Sequence, residues 1–409
     1  MHYFSFKNRE LHCENVPVAR AAEKFGTPLY LYSHRTLVEH YDKLHRAFRS
    51  IDHLICYSLK ANSNPEILRS LARRGAGADI VSGGELFLAL KAGICPGKIV
   101  FAGVGKTEEE IKSALKAGIL LFNLESIEEA GVLNSIAKQM KKKAPVAIRL
   151  NPDVGVSSHD YVVTGTKVNK FGLNFRQAEK LLGMLGRLPH LAVMGFHLHI
   201  GSQIVSSAPY VEAIKRTVIF VRRMKQRGLA IKMLDIGGGL GIIYNDETPA
   251  TAAAFASAVM PLLRQTECRV IFEPGRFIVG NAGILVTKVL YRKKTPAKNF
   301  IIVDAGMNDL IRPSLYGAYH RIVPVRKTGG RAVKADVVGP VCESGDFLGK
   351  DRKLAGVKRD DLLAVMSAGA YGFSMSSNYN ARLKPAEAMV INGKMRLVRK
   401  RGTLQDLLK

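Results

Sequence analysis

The chain has 409 residues, 47% of them hydrophobic and 23% charged, and a formal net charge of +27. This length exceeds one ordinary domain, and the near-average globular composition without low-complexity stretches excludes intrinsic disorder. The opening MHYFSFKNREL is charged where a signal peptide needs an apolar core, and no apolar run reaches membrane-spanning length, so a cytoplasmic location is expected.

Five cysteines, Cys13, Cys56, Cys95, Cys268 and Cys342, are odd in number and form no CxxC pair. They argue against a disulfide framework and a structural zinc, and no metal site is expected. The excess positive charge is scattered among acidic residues, with its largest clusters at Lys141 to Lys143, Arg292 to Lys294 and Arg399 to Arg401. With neither a concentrated stripe nor a recognisable module, no dedicated nucleic-acid or membrane partner is expected.

From about residue 53 to 275, short β-branched runs alternate with amphipathic helical stretches at a repeat of roughly thirty residues, the size of a βα-plus-β unit. The strands are predicted at LICYSL, ADIV, IVFAG, LLFNL, PVAIRL, AVMGFHLH, IKMLDI and VIFEP. Between them Thr107 with Glu110 and Ser126 with Glu129 read as capping boxes, and Thr248 with Pro249 as a cap and first-turn pair. Eight such repeats predict an α/β fold, a (β/α)8 TIM-type barrel, over residues 26–283. From residue 284 the texture changes to ILVTKVLY, NFIIVDAG, LLAVMS, AMVING and MRLV, separated by Gly, Asn and Pro turns. This predicts a second, mostly antiparallel β-domain over 284–409, to which residues 1–25 return.

In a barrel of this kind reactive groups belong at the carboxyl ends of the strands. Lys60 ends the first strand, His199 and Ser202 follow the sixth, Gly237 to Gly239 follow the seventh, and Glu273 to Arg276 close the eighth. A lysine there is commonly a snorkelling strand-end residue, yet desolvation would also make it a good Schiff-base amine. The glycine run lets backbone N–H groups approach an anion. It does not fit GxGxxG, because position 242 is Ile, and GVGKT at 103 to 107 matches only the end of a Walker loop, position 100 being Val. Glu273 either caps its strand or, beside a pyridine ring, keeps the ring nitrogen protonated. His199 is either a core histidine or an imidazole stacked on a cofactor face.

The series CYSLKAN, GADIVSGGEL, NKFG, HLHIGSQ, DIGGGLG, EPGR, NDLIRPSLYGAYH, GPVCESGD and GAYGFSMSSNYN resembles the alanine-racemase-like, fold type III family of pyridoxal-phosphate decarboxylases. The earlier motifs are shared with the ornithine and arginine decarboxylases, whereas NDLIRPSLYGAYH and GPVCESGD are specific to the branch acting on diaminopimelate. The resemblance implies pyridoxal 5'-phosphate as cofactor, decarboxylation of meso-2,6-diaminopimelate to L-lysine, and a homodimer with shared active sites. Another basic amino acid of the ornithine or arginine class is the alternative substrate.

It further implies that Lys60 carries the cofactor as a Schiff base, His199 stacks on its ring and Glu273 meets the ring nitrogen. Gly238, Gly239, Pro274, Gly275 and Arg276 would hold the phosphate end, with Ser202 near it and Tyr371 closing over it. Arg276, Arg312 and Tyr316 would grip the substrate's distal carboxylate, Glu343 its distal ammonium, and Cys342 would return the proton after carbon dioxide leaves. Leu383 and Lys384 depart from the family's expected Arg and Pro content but touch none of these positions.

Overall fold

The computed structural model describes residues 2–154 and 170–408; Asn169, the first residue of NKFG, lies outside them. The chain divides into two compact units, one of residues 41–241 with 248–277, the other of residues 1–40 with 242–247 and 278–409.

The first unit is a closed barrel of eight parallel strands: β1 (His53–Ser58), β2 (Gly77–Ile80), β3 (Ile99–Phe101), β4 (Leu121–Leu124), β5 (Ala144–Leu150), β6 (Leu191–Leu198), β7 (Met233–Asp235) and β8 (Arg269–Phe272). Every strand read from the sequence is present, and β8 closes the ring on β1 through the pairs Val270 with His53 and Ile271 with Leu54. Leu54, Cys56, Val100, Leu121, Ala147 and Ile271 pack together as an apolar layer, so the barrel is filled rather than hollow. Gly195 on β6 is needed for closure: a Cβ there would lie 1.9 Å from the Met233 carbonyl oxygen of β7.

The helix caps follow the sequence unevenly. Thr107 and Glu110 form a full capping box on helix Glu108–Ala117. Ser126 accepts from the Glu129 amide, but the Glu129 carboxylate accepts instead from the Glu125 amide at 2.7 Å and the Lys106 amine at 2.6 Å, so only half a box forms. Thr248 and Pro249 do not start their helix. That helix is Ala252–Arg264, capped by Thr251, the Ala250 amide being tied instead to the Val205 carbonyl.

The second unit is built on a nine-stranded sheet in which Gly283–Lys294 pairs antiparallel with Asn299–Val303, Leu362–Val365 and Leu29–Ser33. Two pairings, Asn299–Val303 with Ala332–Val338 and Leu29–Ser33 with Ala386–Ile391, are parallel. Leu29–Ser33 was read with the barrel from sequence, yet it is a buried strand of this sheet, and the sheet unit takes residues 26–40, 242–247 and 278–283 from the stretch read as barrel. Its LYLYS run is buried at every residue, so it lacks the polar-apolar alternation that distinguishes sheet types. Phe4, Leu11 and Val16 of the N-terminal hairpins join Leu29, Leu31, Ile284 and Val286 in one core, which accounts for residues before 26 lying in this unit.

Candidate active site

Lys60 sits in a single 3-10 turn, Leu59–Ala61, directly after β1, with its side chain 36% exposed. Its amine donates to Asp79 Oδ2 on β2 at 2.9 Å, and Ser58 Oγ donates to the same oxygen at 2.5 Å. Asp79 is fully buried, and burial followed by the nearby Glu273 charge raises its pKa, with Lys60 opposing them. The lysine is thus held at the barrel's carboxyl-end mouth by an ion pair to a buried carboxylate.

Behind it lies a buried polar group of His197 on β6, Asp235 on β7 and Glu273 at the end of β8, whose facing atoms lie within 4.8 Å of one another. His197 Nε2 is 3.4 Å from Glu273 Oε2, and Asn123 of β4 donates to Glu273 Oε1 at 3.3 Å. Burial raises the Glu273 pKa, but His197 and Lys60 outweigh it and hold this carboxyl well below the usual range. Asp235 goes the other way: burial and the adjacent Glu273 charge push it well above its ordinary value. Of the pair, Glu273 carries the charge and Asp235 the proton, since two buried carboxylates this close do not both ionise.

The loops after β6, β7 and β8 pack against one another so closely that their glycines leave no room for side chains. A Cβ on Gly238 would lie 2.0 Å from the Glu273 carbonyl oxygen, one on Gly239 2.3 Å from that of Gly201, and one on Gly275 2.9 Å from the Ala61 Cβ. Gly237 and Gly239 have φ of 69° and 104°, which favour glycine. Arg276, buried, donates to Ser202 Oγ at 3.0 Å, so a cation and a hydroxyl meet beside these glycines. The Gly238 amide donates to His199 Nδ1 at 3.2 Å, which makes that nitrogen the acceptor. Burial, then the Arg149 and Lys60 charges, lower the His199 pKa well below the imidazole norm and keep its ring neutral.

The remaining sequence-predicted residues lie in the sheet unit. Arg312 opens the short helix Arg312–Tyr316 and is buried, stacked 4.7 Å over the Tyr244 ring, with Tyr316 half-buried at the helix's last turn. Its Nη1 lies 2.9 Å from His320 Nε2, while His320 Nδ1 is 2.9 Å from the Met366 carbonyl. The carbonyl requires a hydrogen on Nδ1, leaving Nε2 to accept from the guanidinium. Cys342 and Glu343 are exposed; the Cys342 amide donates to Asn380 Oδ1 at 2.9 Å, and the Tyr379 hydroxyl hydrogen-bonds Glu343. Buried Asp346 sets this loop by accepting from the Met307 and Val341 amides, each at 2.7 Å. Tyr371 is half-buried with φ of 56°, a left-handed backbone unusual for a bulky residue.

Residues 34–280 match the pyridoxal-dependent decarboxylase family through its pyridoxal binding domain. The diaminopimelate decarboxylase of Aquifex aeolicus is 51% identical over 400 residues, 98% of this chain and 95% of that protein. The chain belongs to the diaminopimelate decarboxylase family. The family's enzyme from Vibrio cholerae is 49% identical over 409 residues, 100% of this chain and 98% of that protein. Among solved family structures, that from Helicobacter pylori complexed with L-lysine gives a TM-score of 0.92 at 41% identity, covering 95% of this chain and 98% of that one. That from M. jannaschii in co-complex with L-lysine gives 0.94 at 37% identity, covering 99% and 96%.

Family membership makes pyridoxal phosphate the cofactor, and the residues fit it. Glycines packed too closely for any side chain, with Arg276 and Ser202 hydrogen-bonded beside them, leave backbone free to approach a phosphate; an ionised buried Glu273 suits a pyridinium nitrogen. The residues missed in sequence, Asp79, Asn123, Glu125, Arg149, His197 and Asp235, are all polar groups in or directly after apolar strands, and that mismatch was their signal. Lys106 of GVGKT binds no phosphate-loop geometry: its buried amine is taken by the Gly103 and Asn123 carbonyls and Glu129. Among the described residues, no helix is long and apolar enough to cross a membrane.

Proposed function

We propose that this chain removes carbon dioxide from the D-centre of meso-2,6-diaminopimelate to give L-lysine, with the cofactor's aldehyde end on Lys60. The observation that carries this reading is the Lys60–Asp79 contact at 2.9 Å beside an ionised, buried Glu273. When bound, pyridoxal phosphate supplies the electron sink for the pair left behind by the departing carboxylate.

The chain's own groups do the positioning. Glu273, fixed by His197 and Asn123, holds the proton of the ring nitrogen, which keeps the sink strong. Neutral His199, hydrogen-bonded at one edge by Gly238, offers its flat face to the ring. On the family motifs, Gly238, Gly239, Gly275 with Pro274, Arg276 and Ser202 would hold the phosphate, and Tyr371 would close over it. Asp79 keeps the Lys60 amine at the mouth, where it would hold the cofactor.

A substrate with two amino-acid ends needs a clamp for the carboxylate that stays and an acceptor for the second ammonium. Arg312 and Tyr316, with Arg276, supply the first, and Glu343 the second. His320 keeps the Arg312 fork from rotating, so the clamp is set before substrate arrives. Exposed Cys342 returns the proton to the substrate's α-carbon.

The family motifs support a cytoplasmic homodimer in which the partner subunit's Cys342 and the partner subunit's Glu343 complete each site. Random exchange of inactive Lys60→Ala and Cys342→Ala subunits then restores about a quarter of wild-type activity, half the dimers having one intact site. No recovery in proven mixed dimers overturns the shared site. The reaction itself is tested by offering meso-diaminopimelate, ornithine, arginine and lysine to the cofactor-loaded enzyme and measuring carbon dioxide and product. Turnover of ornithine or arginine alone overturns the substrate.

A further inference from the structure

The proposed decarboxylation engages only Lys60, Arg276 and Arg312 of the 61 lysines and arginines, and part of the remaining positive charge is gathered in one place. The sheet unit has a concavity of about 780 Å³ whose lining includes Arg9, Arg321, Lys327, Arg352 and Lys353 against a single carboxylate, Asp351. Asp351 already faces Lys334 at 3.3 Å, and none of the five cations has a carboxylate within 4 Å among the described residues. Like charges left together without counter-charges repel, and burying none of them in ion pairs is a cost that a bound anion would remove.

Three of these cations, Arg352, Arg9 and Lys327, are positioned by the fold. The Arg352 guanidinium stacks 3.8 Å over the Tyr319 ring, and its Nε is shielded from water without a hydrogen-bond partner. Gly349 makes room for it, since a Cβ at that position would lie 2.4 Å from this Nε. Arg9 occupies the tip of the hairpin between Phe4–Lys7 and Glu10–Cys13, with φ of 45° at Asn8 and 68° at Arg9. Both central residues are left-handed, and the second is an arginine where such turns favour glycine, so a charged side chain sits at a strained position facing this concavity. The Arg9 carbonyl accepts from the Lys327 amide at 2.8 Å, and Lys327 lies 4.1 Å over the Phe6 ring, which fixes the two cations on one wall.

We propose that this concavity is a binding site for a small polyanion, a polyphosphate or a tricarboxylate; none of its lining residues is among those assigned to the decarboxylation. A pocket of this volume admits a small organic molecule and exceeds what a lone sulfate needs. Arginine forks match phosphate and carboxylate oxygens equally, so the shared chemistry is several anionic oxygens spaced along one ligand.

The test is titration calorimetry on the cofactor-loaded enzyme at near-physiological ionic strength, with tripolyphosphate, citrate and sulfate as separate probes. Expected is saturable binding of tripolyphosphate or citrate at one site per chain, at least tenfold tighter than sulfate; which of the two binds identifies the source. Arg321→Gln with Lys353→Gln, both at exposed positions, should weaken it at least tenfold, whereas Lys180→Gln with Lys215→Gln, an equal charge loss elsewhere, should leave it unchanged. Arg352→Lys, which keeps the charge but loses the fork, should also weaken binding. Equal weakening by the remote pair, or no preference over sulfate, overturns the site in favour of diffuse charge. A duplex oligonucleotide that binds more tightly than either probe, and loses that binding in the Arg321/Lys353 variant, makes the surface a nucleic-acid contact and overturns it too. So does a shift of that variant's oligomeric state in sedimentation with unchanged anion binding.

Discussion

Arg149 and Glu125 form a deeply buried ion pair near the candidate site: Nη1 to Oε1 is 2.6 Å, with side chains 6% and 2% exposed. Glu125 also accepts from the Gly103 amide at 3.0 Å and the Gly172 amide at 2.9 Å, so this carboxylate ties together the ends of three βα segments. Its pKa is lowered overall, since Arg149 with His197 and Lys106 outweighs the burial that raises it. Arg149→Met removes the direct ionic partner of this buried carboxylate, at a cost of about 3–5 kcal/mol. For a domain of 150–250 residues each kcal/mol moves the midpoint by about 2–4 °C, so a fall of roughly 6–20 °C is expected. Adding Glu125→Gln removes the stranded charge and keeps an oxygen for one glycine amide, and should recover at least about half of the loss. Thermal melts followed by circular dichroism suit a chain without tryptophan. A loss below about 1 kcal/mol for the single variant, or strictly additive losses in the double, would show the pair is solvated and refute the reasoning.

Glu273→Gln should lower turnover more than about tenfold, or about 1.4 kcal/mol of transition-state stabilisation, at unchanged cofactor occupancy; normal turnover at full occupancy contradicts its role. Arg312→Ala removes a charge-assisted contact worth about 1.5–3 kcal/mol, so KM for meso-diaminopimelate should rise roughly 10–100-fold with a smaller change in kcat. An unchanged KM takes Arg312 out of the site. Asp309, buried, has its pKa raised to about 7, chiefly by burial, although it accepts the Gly306 amide. Because the folded state holds this proton more tightly than the unfolded one, its contribution is present in acid and lost as pH rises through about 7. Asp309→Asn should therefore gain on wild type by roughly 2 kcal/mol between about pH 5.5 and 8.5 in urea melts, and a pH-independent difference contradicts the shift.

What the sequence made legible follows from how each residue signals. The eight barrel strands were visible because burial on both faces gives near-continuous apolar runs at a regular repeat. Lys60, His199 and Glu273 were visible because each interrupts such a run at its carboxyl end. Asp79, Arg149 and Asp235 interrupt runs as well, but their meaning depends on partners 19, 24 and 38 residues away or more, and pairing across strands is not written locally. The same limit hid the Arg312–His320 contact, where an Arg before Pro reads as surface until the fold buries it. Leu29–Ser33 was assigned to the wrong unit because a strand buried throughout carries no mark of which sheet will take it. At Thr248, a sound local cap lost to Thr251, the Ala250 amide being tied to the Val205 carbonyl.

The central claim is that Lys60, held by Asp79, is the residue on which the cofactor is seated. Borohydride reduction of the loaded enzyme followed by peptide mass spectrometry tests it directly, because reduction turns only a lysine–cofactor link into a stable amine. The expected result is a single phosphopyridoxyl label on the peptide containing CYSLKAN, at Lys60, and no label in Lys60→Ala. A label at any other lysine, or an undiminished label in Lys60→Ala, would contradict the account.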